Sequence, residues 1–558
     1  MRRFVHGLLA ALILIGSVSA KTYTNKTFLM PRSHNMNLAM EYTTWHKQMA
    51  LIDDDKFGGT VQATAFYEDS NNKKELGQYF GVCNYDNGSS TDDFISVVPQ
   101  WDPIPHPKHI AAPFVLHTPN FATIASGLTL SDKLTWRPSR ESYGVRLDYH
   151  QKLDKVLKGL FFKVSAPIVH AKTSMGYTSS CCNTSCATTC ETSCSTGCDT
   201  TSRAYCNKQA LEVSGALTGA EKSLADYLSG CVTNDDATAK QAALCRMKIH
   251  NGNSETGIAD IDLMLGYNFC YKPTKHVGVN IGLTIPTGNT PNSEHVWEAV
   301  VGNGGHWALG AGLDAAFQIW KDKDKSLDIL MAFNYRYLFS STELRTVGFN
   351  WPAGLVNGGY NVNWAGRPAM YGHYWLGAKL GSTTTTPMAN FLTQNVKVTP
   401  GSHFDGIVQF AFNYDNWTFD LGYNLFAKEK EDVDLKCNSC EDACSTACDT
   451  GCSDACCPVI TWEDNTYAVA KNTWDTSGAF AAANAYLATA DWINRTDLCT
   501  DPCTNPSVVT HKIYGGFGYA FKDWDYPLIL GLGGSYEFAT DNDCLEAWSL
   551  WAKVGLTF

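Results

Sequence analysis

Fourteen of the 21 cysteines in this 558-residue chain are concentrated in two short tracts. One holds Cys181, Cys182, Cys186, Cys190, Cys194, Cys198 and Cys206, and the other Cys437, Cys440, Cys444, Cys448, Cys452, Cys456 and Cys457. Inside each tract five cysteines recur at every fourth residue, and Cys499 and Cys503 repeat that step once more. Thiols so crowded do one of two things. In an oxidising compartment they pair as disulfides; as thiolates they bind Zn²⁺ or Cu(I). Structural zinc usually uses closely spaced Cys pairs together with His or further Cys; only Cys437 and Cys440 are spaced by two residues, and neither tract contains a His. Disulfides are therefore the favoured reading, and no metal site or cofactor is assigned. On a helix the four-residue step would align the thiols in one stripe, although Ser, Thr and Gly spacers form helix indifferently. Bridges between tracts so far apart in sequence would restrict the unfolded chain by about 2–4 kcal/mol each. An odd total leaves at least one thiol unpaired or shared between molecules, and Cys270, expected on the inner face of a strand, is a candidate.

Catalysis finds little support. The chain has no Gly-x-Ser-x-Gly and no His-Glu-x-x-His. His106, His109, His117, His276, His306 and His403 are scattered, as polar groups of loops and strand ends would be. The protein is expected not to be an enzyme. A second set of ionisable residues is more ordered. Arg146, Asp148, Lys163, Asp260, Asp262, Asp314, Asp328, Arg336, Asp420 and Lys553 share segment faces with Gly and Ala, opposite faces that are apolar.

Those faces belong to strands. In residues 546–558, Trp548, Leu550, Ala552, Val554, Leu556 and Phe558 point one way, and Ser549, Trp551, Lys553 and Thr557 the other. The same period of two recurs at 143–149, 160–168, 261–271, 277–285, 307–319, 327–339, 408–414, 417–427, 513–521 and 528–538. Weaker candidates lie at 59–68, 94–98 and 121–130, and 378–402 has room for a further hairpin. The prolines of 99–119 exclude a central strand there. Aromatic residues gather near the strand ends, as at Tyr335, Tyr337, Tyr414, Trp417 and Tyr519, in the manner of interfacial girdles.

The chain ends agree with a membrane barrel. Residues 1–20 read as a secretory leader, with Arg2 and Arg3, an apolar run and Val18-Ser19-Ala20. Beyond it no run of about 20 apolar residues supplies a transmembrane helix. Removing the leader takes the formal charge from −12 to about −14, which argues against nucleic acid as a partner. With Phe558 on the inner side, short linkers alternate with long ones back to residue 151. The long ones, including 171–257 and 429–510 with their cysteines, fall outside the cell.

The leader, the repeated amphipathic strands and the terminal Phe558 resemble Gram-negative outer-membrane porins. The abundance of cysteine also resembles the cysteine-rich major outer-membrane proteins of chlamydiae and legionellae. Residues 21–558 are accordingly expected to form one all-β, antiparallel, up-and-down transmembrane barrel of about 14 strands, within a range of 12–16. The porin resemblance implies passive diffusion of small hydrophilic solutes through a water-filled barrel lined by the ten ionisable residues above. Their acid excess favours cations. Implied partners are outer-membrane lipids, the barrel-assembly machinery reading Phe558, and further copies of the chain in an oligomer or disulfide network. The alternative is a structural or adhesive envelope protein, cross-linked by disulfides, with little transport.

Overall fold

The computed structural model describes residues 26–52, 58–80, 136–179, 251–272, 274–350, 384–435, 492–540 and 545–558, with shorter pieces at 95–98, 110–111, 133–135, 228–230, 234–236, 239–249, 372–374, 376–379 and 466–469. The leader at 1–20, both cysteine tracts, the candidate strand at 121–130 and most of the proline-rich stretch lie outside the described residues.

Twelve strands form a closed antiparallel barrel. In chain order they are β1 Gly59–Ser70, β2 Ser139–Lys152, β3 Leu160–Ser174, β4 Ile261–Lys272, β5 Lys275–Ile285 and β6 Ala308–Asp322. The second half is β7 Lys325–Leu338, β8 Gly401–Tyr414, β9 Trp417–Lys428, β10 Val508–Phe521, β11 Leu528–Ala539 and β12 Ala547–Thr557. Each pairs with its sequence neighbours, and β12 closes on β1. The seam runs from Thr60 opposite Thr557 to Ser70 opposite Ala547, and is finished by Gly59 N–H to Phe558 O (2.9 Å) and Phe558 N–H to Gly59 O (3.0 Å). Every sequence segment with clear alternation becomes one of these strands.

Alternation gives the wall two unlike faces. On β12, Leu550, Val554 and Leu556 point outward and are exposed, whereas Trp551, Lys553 and Thr557 are buried inside. Leu421, Phe419, Ile513, Phe517, Leu530 and Leu532 continue the apolar exterior around the barrel. A closed strand ring with such a belt satisfies every wall hydrogen bond without water, which a bilayer requires. One end of the barrel carries tight connections, such as Asp415–Asn416 between β8 and β9. The other carries the long ones, so the first is the periplasmic end and the second the extracellular end.

The wall has twelve strands among the described residues, the lower bound of the expected range of 12–16 and two below its central figure of fourteen. Among the described residues of the first 120, only β1 enters the wall. The segment at Ile95–Val98 does form a strand, but it pairs with Ile110–Ala111 and Lys133–Thr135 away from the barrel. The expected hairpin within 378–402 likewise lies off the wall. Its Thr393–Thr399 strand pairs with Ser341–Thr346 and Asp432–Leu435 in a cap over the extracellular end. That cap has its own core, which includes Phe349, Met388, Phe391, Val396 and Val398. Two irregularities also matter. A register shift between Asn268 and Cys270 pairs Cys270 with Val277, so Cys270 turns toward the lipid face and not the lumen. And the strand Asn253–Ile258, which pairs with the upper part of β3, is separated from β4 by Ala259 and Asp260, where Asp260 has φ +64°.

Leu532 is on the lipid face in the middle of β11. Leu532→Arg is expected to lower barrel stability by about 2–4 kcal/mol if it sits near the bilayer midplane, measured by urea unfolding in lipid vesicles.

Candidate functional site

Residues 26–52 do not join the wall; they run through the lumen from the extracellular end to the periplasmic end. Thr27 starts the path under the cap, its N–H on Pro502 O (2.8 Å) and its hydroxyl on Thr346 O (2.8 Å). Lys47 ends it, donating to Asp415 O (2.6 Å) at the β8–β9 turn. Local sequence explains why this stretch is not strand. Asn37 caps a short helix, α1 (Leu38–Tyr42), by accepting from Met40 N–H (3.3 Å). Thr44, in the left-handed region at φ +63°, then breaks the path before α2 (Trp45–Met49).

The wall is cut to receive it. Gly516 on β10 faces the bend between the helices, and a Cβ there would sit 2.4 Å from Thr43 Cγ2. At Gly518 a Cβ would meet Thr44 Cγ2 at 2.7 Å. Leu38, Ala39 and Met40 add apolar contact with a cluster containing Phe66, Ile407, Tyr514 and Trp551.

Charge does the rest. Glu41 is buried between Arg146 of β2 (2.6 Å) and Lys163 of β3. Lys553 of β12 donates to the backbone oxygens of Glu41 and Thr43, both at 2.7 Å. Arg146 also holds Asp148 (3.0 Å) and reaches Asn35 O. Asp420 of β9 accepts from Thr44 N–H at 2.7 Å, and Asp328 of β7 lies 3.4 Å from His46. Nearer the extracellular end Arg32 joins Asp405 (2.8 Å) and Glu537 (3.1 Å), and Glu537 also pairs with Lys512 (2.9 Å). Lys428 donates to Met30 O at 3.1 Å.

All ten ionisable residues singled out in the sequence therefore lie on the inner side, but they do not line an open aqueous passage. Arg146, Asp148, Lys163, Asp262, Asp328, Arg336, Asp420 and Lys553 are buried, most of them against the internal segment. Arg336 and Asp262 pair with each other (2.7 Å), and Asp314 pairs with His276 (2.8 Å). Asp260 is buried at the break before β4, beside Gly302. Cavities of about 50 and 30 Å³ flank residues 30–36. Sequence reasoning missed the partners on the segment itself, Arg32, Glu41 and His46, and the wall residues Asp405, Lys512 and Glu537. A helix cap at Asn37 inside an otherwise strand-rich chain, and glycines on the inner face of β10, were the available signals.

The cap above the lumen is ionic at its centre. Arg345 contacts Glu343 (2.7 Å) and Glu431 (3.3 Å) and covers the Phe28 ring, while His306 bonds Glu343 at 2.6 Å. Burial opposes the charge on Glu343, but Arg345 and His306 outweigh it and hold this carboxyl below its usual range. Cys499 and Cys503, sequence candidates for a disulfide, border this region as free thiols. Cys503 is buried, and its thiol points to Thr500 O (3.2 Å), not to Cys499.

No family model matches the chain, and no curated protein matches it in sequence. Solved structures match it distantly over most of its length. An outer membrane channel from Pseudomonas putida F1 is 9% identical, with a TM-score of 0.33 over 90% of this chain and 96% of that one. A Pseudomonas aeruginosa FadL homologue is 9% identical (TM-score 0.27, covering 95% and 99%), and the NanC porin 7% (TM-score 0.23, covering 75% and 93%). The protein is an outer-membrane β-barrel. At these identities and scores the likeness carries no argument about this chain. The outer-membrane placement stands on the closed strand ring and its apolar belt.

Glu41→Gln leaves Arg146 and Lys163 buried against a neutral amide. Undocking the segment should then become easier by about 3–5 kcal/mol. Limited proteolysis checks this: residues 26–52 are expected to be cleaved while the barrel keeps its faster gel mobility without heating.

Proposed function

We propose that the protein is an outer-membrane channel for small hydrophilic solutes, held shut in this state by its own residues 26–52. The observation that carries this reading is that Arg146, Lys163, Asp405, Asp420, Glu537 and Lys553 of the wall all bond to residues 26–52, although some wall charges also pair with one another. A twelve-stranded ring is too wide for side chains alone to fill. A barrel serving only as a scaffold has no need to fill it with groups that water or solute can replace. The wall beside the segment is polar as well: the buried hydroxyls of Thr60, Thr64, Ser142 and Thr557 have no hydrogen-bond partner among the described residues, so they suit a wet surface once the segment leaves.

No catalytic role is part of this reading, and residues 1–20 are taken as an export leader. Lipids of the outer membrane and the machinery that assembles barrels, with Phe558 as its signal, are the partners it requires. Planar bilayers test it. Wild-type protein is expected to give rare, brief conductance steps, and Glu41→Gln frequent and longer ones. Folded Glu41→Gln barrels that stay electrically silent would remove the channel reading.

A second reading rests on the cysteine tracts, which the chain places between β3 and β4 and between β9 and β10, both extracellular connections. Disulfides there would tie loops together or link neighbouring barrels into an envelope network. Non-reducing gels of isolated envelopes are expected to show high-molecular-weight ladders that collapse with reductant if the network exists, and a single monomer band if it does not.

A further inference from the structure

The wall holds residues 41–44 of the internal segment largely by their main chain. Lys553 of β12 donates to the carbonyls of Glu41 and Thr43, both at 2.7 Å, and Gln409 of β8 donates to that of Tyr42 at 3.3 Å. Asp420 of β9 accepts from Thr44 N–H at 2.7 Å. The Thr43–Thr44 peptide group is thus gripped on both sides, its oxygen by a cation and its N–H by a carboxylate. The last carbonyls of a helix have no partner within it, and after α1 the wall supplies one to each of three in succession.

Side chains are received as well. The Glu41 carboxylate lies between Arg146 and Lys163. Tyr42 packs against Ala316, Leu330 and Ala411. Thr43 and Thr44 lie over a recess in the wall: a Cβ on Gly516 would come 2.4 Å from Thr43, and one on Gly531 would come 2.9 Å from Thr44. Groups from strands scattered through the chain therefore converge on four consecutive residues. When the segment leaves, they face a space as large as the residues that occupied it. Arg146, Lys163 and Lys553 then have Asp148 beside them, which leaves an excess of positive charge for an anion. Asp420 can only accept when ionised, so it repels a bare anion and suits an amide N–H. A free amino acid has no peptide group to offer.

We infer that the solute class recognised by this lumen is a short acidic peptide, bound as residues 41–44 now are. Its carboxylate would lie on Arg146 and Lys163, and its main-chain amides on Lys553, Gln409 and Asp420. Charge-assisted bonds of this kind are the strong ones. Such binding rests on the channel reading, since the segment must leave before a solute takes its place. The segment is then a tethered copy of the ligand, and peptide and segment compete for one site.

That competition is the test. Trypsin cuts after Arg32 and Lys47 when the segment is undocked, at a rate that follows the undocked population if reclosing outpaces cleavage. Full-length Glu41→Gln barrels in detergent, whose segment undocks more readily, are digested in the presence of acetyl-Glu-Tyr-Thr-Thr-amide, which has no trypsin site. Cutting is expected to accelerate by a factor of one plus the ratio of peptide concentration to Kd, as mass action gives. The Gln counterpart of the peptide should need about tenfold more for the same acceleration, the scale of one hydrogen bond to a charged group. Glutarate, a dicarboxylate with no peptide group, should give no acceleration at the same concentrations. In the same background Lys163→Gln should raise the requirement for the Glu peptide about tenfold and leave the Gln peptide unchanged, whereas Asp420→Ala should raise it for both. If either variant fails to fold, as read by its gel mobility, the three probes on the parent barrel decide. The inference is overturned if the Glu peptide gives no acceleration, if glutarate or the Gln peptide matches it, or if the folded variants respond as the parent does. Conduction without peptide-driven cutting removes peptide recognition alone, and silent bilayers with peptide-driven cutting remove the channel reading alone.

Discussion

The hydrogen bonds between β12 and β1 are what the rest of the structure depends on. In a hydrocarbon layer an open strand edge has no water to satisfy it, and each orphaned group costs several kcal/mol. The pairing from Thr60–Thr557 to Ser70–Ala547 removes both edges at once. Closure then fixes everything else. It forces alternate residues of each strand into a shared interior, and so brings Arg146 and Lys163 to the Glu41 carboxylate and Lys553, far away in sequence, to the backbone oxygens of Glu41 and Thr43. It also creates a lumen that twelve strands cannot fill by themselves.

How that lumen is filled decides what the protein can do. A packed apolar core would make the barrel a solid peg. Here an apolar cluster lies under α1, and much of the remaining contact is ionic or hydrogen-bonded. Buried ion pairs contribute little net stability relative to apolar packing, yet they are costly to break one-sidedly. The docked segment is therefore specifically placed without the interior being permanently dry in its chemistry. The glycines of β10 serve the same end, since they leave a recess that larger side chains would occupy.

The wall was legible in the sequence and its contents were not. Lipid imposes a strict period of two on every strand, so Leu550, Val554 and Leu556 declare their face directly, and the parity of short and long linkers follows. The ten inner-face charges were readable for the same reason. Their pairing was not, because ion pairs such as Glu41–Arg146 join residues more than a hundred positions apart and leave no periodic trace. The excess of expected strands has a related cause: the early chain was assigned to the wall because nothing in alternation distinguishes a missing strand from a segment placed inside. Cys270 was misplaced by a single residue's register shift, which inverts a face without altering the sequence pattern around it.

The internal segment is fastened unequally at its two ends. Toward the periplasm it continues covalently into β1, a few residues beyond Ile52. At the extracellular end the described residues are held by contacts such as those of Thr27 with Pro502 and Thr346. Such an object behaves as a flap hinged on one side. Forces directed inward push it toward its own hinge, with the tether slack; forces directed outward draw the tether taut. A barrel blocked in this way has a built-in sense of direction.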